Sequence, residues 1–84
     1  MRFYYITFRS VTYAQRGEQV LTEAGIRCSL QRTPRWMETQ GCGYALRIWT
    51  KEIDEVLSFL RRSGIVMRKL YRQKADGQLE EIPL

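Results

Sequence analysis

The stretch from Gly43 to Gly64, GYALRIWTKEIDEVLSFLRRSG, changes its periodicity half-way along. From Gly43 to Trp49 the side chains alternate, with Tyr44, Leu46 and Ile48 on one side and Ala45, Arg47 and Trp49 on the other. Successive strand residues point to opposite faces, so this half reads as a strand. Beyond Thr50, the residues Ile53, Val56, Leu57 and Leu60 recur at i, i+3, i+4 and i+7, the stripe of a helix that packs on one side only. Thr50 is placed to cap that helix and Gly64 to end it. A half-buried strand running into a one-sided helix is the building unit of a layered α+β domain.

Working outward, the same unit occurs upstream. Phe3 to Phe8 (FYYITF) is aromatic and β-branched, which suits a central strand. Thr12 and Gln15 fit a capping box, with Ser10 as a rival N-cap. Ala14, Gly17, Leu21 and Ala24 follow at helical spacing, and Gly25 suits the left-handed residue after a helix. Ile26 to Gln31 alternates again, with Ile26, Cys28 and Leu30 on the apolar side. Thr33 to Gly41 contains Pro34 and has no period, so it reads as a loop. Ile65 to Arg72 reads as the fourth strand. Asp76-Gly77 signals a type I′ turn, after which Gln78 to Ile82 folds back as a short fifth strand. The order β-α-β-β-α-β is the ferredoxin-like split βαβ pattern: a four-stranded antiparallel sheet with both helices on one face, and room for that fifth strand. One domain over residues 1–84 is expected, with a core at 3–73 and a C-terminal tail at 75–84.

The totals exclude several classes of function. With no histidine and two cysteines, the chain alone supplies neither a Cys/His zinc site nor a Ser-His or Cys-His nucleophile pair. No metal or cofactor is therefore expected. No apolar run approaches the roughly 20 residues that span a bilayer, and the first residues lack the zones of a signal peptide. The expectation is a cytoplasmic protein with no membrane contact. The net charge of +5 is spread along the chain, with the densest groups at Arg61-Arg62 and from Arg68-Lys69 to Lys74. A solvated basic surface explains that spread better than a dedicated patch.

The two thiols differ. Cys28 sits on the apolar side of its strand, where a thiol behaves as a small hydrophobe. Cys42 lies between Gly41 and Gly43, at the end of the long loop. Flanking glycines remove side-chain cover and let backbone N–H groups approach a ligand. A thiolate stabilised by such donors or by cations is nucleophilic, and Arg35 and Arg9 are the candidate cations. On spacing alone two readings stand: a reactive thiol, or a residue that fills a tight hairpin. In a hairpin across the loop, Cys28 falls opposite about Arg47. That leaves Cys42 roughly 16 Å further along at ~3.3 Å per residue, beyond the roughly 7 Å a disulfide allows. The pattern favours a one-thiol device over a two-thiol redox enzyme.

Thr7-Phe8-Arg9-Ser10, Ala14, Leu21, Gly25-Ile26, Thr33-Pro34-Arg35, Cys42-Gly43 and Ala45-Leu46-Arg47, taken in that order, resemble the selenium/sulfur carrier-like family of small bacterial domains. The resemblance covers about residues 3 to 70. It implies that Cys42, the cysteine of the Cys-Gly pair, carries sulfur or selenium as a persulfide or selenopersulfide. It also implies a donor protein and an acceptor protein as partners. The chain is then a carrier rather than a stand-alone enzyme.

Two other functions compete. A non-catalytic interaction domain could form a homodimer through the open sheet face, using Arg47, Trp49 and one side of the first strand. An RNA-binding domain would share the β-α-β-β-α-β order, and Gly43-Tyr44-Ala45-Leu46 partly matches a base-stacking strand. That match fails at Leu46, which replaces a stacking aromatic, at Arg47, and at Cys42 in place of the leading basic residue. The pattern therefore argues against nucleic acid. No paired carboxylates stand out for acid–base catalysis. Glu52, Asp54 and Glu55 suit the start of a helix, Arg35 and Glu38 can pair across the loop, and Gly41-Cys42-Gly43 lacks the spacing and lysine of a phosphate loop.

Overall fold

The aromatic and β-branched run near the N-terminus forms β1 (Arg2–Thr7), the middle strand of the sheet. Residues 2–34 and 43–84 are described by the computed structural model. The order continues with α1 (Val11–Glu23), β2 (Arg27–Arg32), β3 (Tyr44–Thr50), α2 (Ile53–Arg62), β4 (Lys69–Gln73) and β5 (Leu79–Ile82). All five strands join one antiparallel sheet in the order β2-β3-β1-β4-β5. The fold is thus α+β with two helices and a five-stranded antiparallel sheet, in which the short fifth strand that the four-stranded pattern left room for, β5, pairs along the outer edge of β4.

Alternation decides which side of the sheet is buried. Tyr4 and Ile6 of β1, Leu46 and Ile48 of β3 and Leu70 of β4 share one apolar cluster with Ala14 and Leu21 of α1 and Val56, Leu57 and Leu60 of α2. Both helices therefore pack into the same core. Gly17 marks the closest approach: a Cβ there would stand 3.0 Å from Cδ1 of Leu46, so the missing side chain lets α1 lie close to β3.

Several local expectations shift. Ser10, not Thr12, caps α1, since its Oγ accepts the Tyr13 N–H at 3.2 Å. Thr50 does not cap α2. It is the last residue of β3, its hydroxyl accepts the Glu52 N–H, and Glu52 takes the N-cap position with no side-chain bond. Both helices end as expected at a glycine with positive φ: Gly25 (φ 80°) donates to Thr22 O while Ile26 donates to Leu21 O, the pairing that satisfies the last carbonyls. The fourth strand begins at Lys69 rather than Ile65, because Ile65 turns into the core straight after Gly64. The hairpin before β5 is a three-residue loop, Ala75 to Gly77, closed by Lys74 and Gln78, not a two-residue type I′ turn. Among the described residues, no helix is long and apolar enough to cross a membrane.

Candidate functional site

Register brings a group of residues to the end of the sheet where Gly43 sits. Gln31 of β2, Ala45 of β3, Thr7 of β1 and Lys69 of β4 form one row across four strands. Beyond that row lie Arg32 at the end of β2 and Thr33 after it, Gly43 before β3, Arg9 and Ser10 after β1, and Arg68 before β4. Gly43 has φ 84°, in the left-handed region that a residue with a Cβ enters at a cost. Its carbonyl accepts the Thr33 N–H at 3.0 Å, which closes the foot of the loop. Of the expected site residues, Gly43 and Arg9 are thus brought to one end of the sheet. Gly41, Cys42 and Arg35 lie outside the described residues.

This end is electropositive. Arg9 and Arg32 are exposed there, and Arg68 is half-buried. The N-terminus of α1 opens at the same end, and its first turn contains no acidic residue to offset the partial positive charge of the helix start. Ser10 takes up one of the free N–H groups of that turn. Two polar atoms here are buried without a partner among the described residues: the Thr33 hydroxyl and one Arg68 guanidinium nitrogen. Arg32 and Arg68 were missed as members of this group. Their spacing in the chain gives no hint of it, and only the strand register brings them together.

Cys28 occupies the environment expected of it. It is half-buried on β2, opposite Ile48 rather than about Arg47, one residue further from Gly43 than the hairpin estimate. Its Sγ lies 3.8 Å from the Thr22 hydroxyl and 3.8 Å from the Glu18 carbonyl. Burial pushes the Cys28 thiol up. The Thr22 hydrogen bond pulls it back in part, and the Glu18 carboxylate adds a further upward push. Such a thiol is largely protonated near neutral pH and a poor nucleophile. Among the described residues, no three of His, Cys, Asp and Glu gather in a group that could hold a metal ion.

A scan against family models matches residues 3–72 to the family described as "Putative Se/S carrier protein-like". The chain belongs to this family. The match runs from the second residue of β1 to the fourth residue of β4 and leaves β5 beyond its end. No curated protein and no solved structure matches the chain. A carrier family implies interaction with proteins that give and take the carried atom.

Proposed function

We propose that this protein carries sulfur or selenium on Cys42, as a persulfide or selenopersulfide, between a donor and an acceptor protein. The Cys42 thiolate attacks the terminal sulfur of a donor persulfide. A new sulfur–sulfur bond forms to Cys42, the donor's own sulfur–sulfur bond breaks, and the donor leaves as a thiolate. In the second step a nucleophile of the acceptor attacks the terminal sulfur, and Cys42 leaves as the thiolate. The two steps together involve no net oxidation, and selenium follows the same course.

The observation that carries this reading is the convergence of Arg9, Arg32, Arg68 and the N-terminus of α1 on the end of the sheet where Gly43 sits, one residue after Cys42. Cations and a helix start favour an anionic sulfur. Gly41 and Gly43 give access, and Arg35 with Arg9 stabilises the thiolate. Family membership supports the carried element. The raised Cys28 thiol supports a single working cysteine.

The underlying architecture is read as one domain over 1–84, a ferredoxin-like split βαβ core with an added edge strand. In support, β1 lies between β3 and β4, both antiparallel to it, with β2 beyond β3. Loading with a low-molecular-weight persulfide tests the function. The Cys28→Ser protein is expected to gain the sulfur and the Cys42→Ser protein to stay unmodified. Loading of Cys42→Ser would defeat the assignment.

A further inference from the structure

The sheet face turned away from the helices carries its own cluster. Phe3 and Trp49 stand opposite one another on β1 and β3, with ring centroids 4.4 Å apart. The Arg47 guanidinium carbon lies 3.5 Å from the centroid of the Phe3 ring. Two shallow depressions, of about 470 and 320 Å³, meet at Phe3, Arg47 and Trp49. One adds Arg2, Gln73, Lys74, Ala75 and Gly77, the other Arg27, Cys28 and Ser29. Among the described residues, no carboxylate lines either depression. Two buried atoms in this region have no partner among the described residues: Nε of Arg47, a donor, and Oε1 of Gln73, an acceptor.

These features select among occupants. A second copy laid face to face would bring Arg2, Arg27, Arg47 and Lys74 of both copies into one interface whose described lining offers no carboxylate, and such like-charge crowding opposes association. An acidic peptide would satisfy the cations, but its carboxylate side chains carry no flat ring to stack on Trp49 and the Arg47 guanidinium plane. Single-stranded RNA answers both demands. Phosphates meet the cations, bases stack on Trp49 and on the Arg47 guanidinium plane, and a 2′-hydroxyl pairs with the exposed Ser29 hydroxyl at the rim. The failed match to the base-stacking strand motif does not bear on this surface. Leu46 is fully buried on the helix side, and the outward positions of β3 are Ala45, Arg47 and Trp49.

We propose that the sheet face centred on Phe3, Arg47 and Trp49 binds single-stranded RNA. This site is separate from the Cys-Gly end and stands or falls without it. The test is fluorescence anisotropy of a labelled oligouridylate of about a dozen nucleotides. Binding is expected to weaken about tenfold or more between roughly 50 and 200 mM salt. Arg47→Ala and Trp49→Ala are each expected to lose about tenfold in affinity. Arg61→Ala, on α2, is expected to leave it unchanged, with far-UV circular dichroism showing each variant folded. Arg47→Lys keeps the charge but not the plane and is expected to bind more weakly than the native protein. The matching deoxyribose oligomer is expected to bind more weakly than the RNA. Native affinity in Arg47→Lys, equal losses at Arg47 and Arg61, or equal binding of the deoxyribose oligomer would overturn the proposal. So would displacement of the RNA by an oligoglutamate of equal charge, or a dimer that Arg47→Ala dissolves.

Discussion

The backbone N–H of Thr33 donates to the carbonyl of Gly43 at 3.0 Å, one step beyond the last ladder pair, Arg32 and Tyr44. The strand that ends before the loop and the strand that begins after Cys42 are therefore tied at the loop's foot. Cys42 is covalently joined to the residue that accepts this bond. Gly43 makes this bond while in the left-handed conformation, φ 84°.

Gly43→Ala is accordingly expected to destabilise the fold by about 1–2 kcal/mol, the cost of a Cβ in the left-handed region. Urea unfolding measures it. A loss of only a few tenths would mean that Gly43 does not hold this conformation in solution.

Ser10 supplies the side-chain cap of α1 through the Tyr13 N–H. Ser10→Ala is expected to cost about 1 kcal/mol in the same assay. Thr12→Ala is expected to cost much less, since Thr12 lies exposed within the first turn of the helix. Equal costs would restore the capping box that starts at Thr12.

The cap illustrates what the sequence makes legible. Periodicity located both helices and the strands β2 and β3, because alternation and the i, i+3, i+4 stripe follow directly from which side is buried, while composition marked β1 and the Asp76-Gly77 turn signal marked β5. Boundaries were less legible. Ser10, Thr12 and Thr50 all have capping side chains, and only the backbone path decides which one meets a free N–H. At the candidate site, Gly43 could be singled out from its neighbours in the chain. Arg32 and Arg68 could not, because they come to that end only through pairing with β3 and β1.

Burial raises the Cys28 thiol, so the folded chain resists ionising it more than the unfolded chain does. Stability is therefore full below the ordinary thiol range and falls as pH rises through that range toward the raised folded value. Cys28→Ala removes this component. The gap in urea midpoint between the native protein and Cys28→Ala is expected to narrow as pH rises from neutral through the thiol range. A constant gap would contradict the raised thiol. Tyr71, raised first by burial and then by Glu81, adds a decline of the same sign at higher pH in both proteins.

β5 is held to β4 by Arg72–Glu80 and by Lys69–Glu81 at 3.7 Å, and by Ile82 packed against the core. The two ion pairs are substantially exposed, so Glu80→Ala and Glu81→Ala are each expected to cost under about 1 kcal/mol. Ile82→Ala is expected to cost about 1 kcal/mol or more through lost apolar burial. Thermal unfolding of the three variants gives the ranking. A larger cost at either glutamate would show that charge, not packing, holds the last strand.

Peptide-resolved mass spectrometry of the protein, purified without reductant from the cells that make it, asks where the carried atom sits. An added sulfur or selenium is expected on the peptide that contains Cys42 and none on the peptide that contains Cys28. The added atom on Cys28 alone, or on neither thiol even after exposure to excess persulfide donor, would contradict the carrier account.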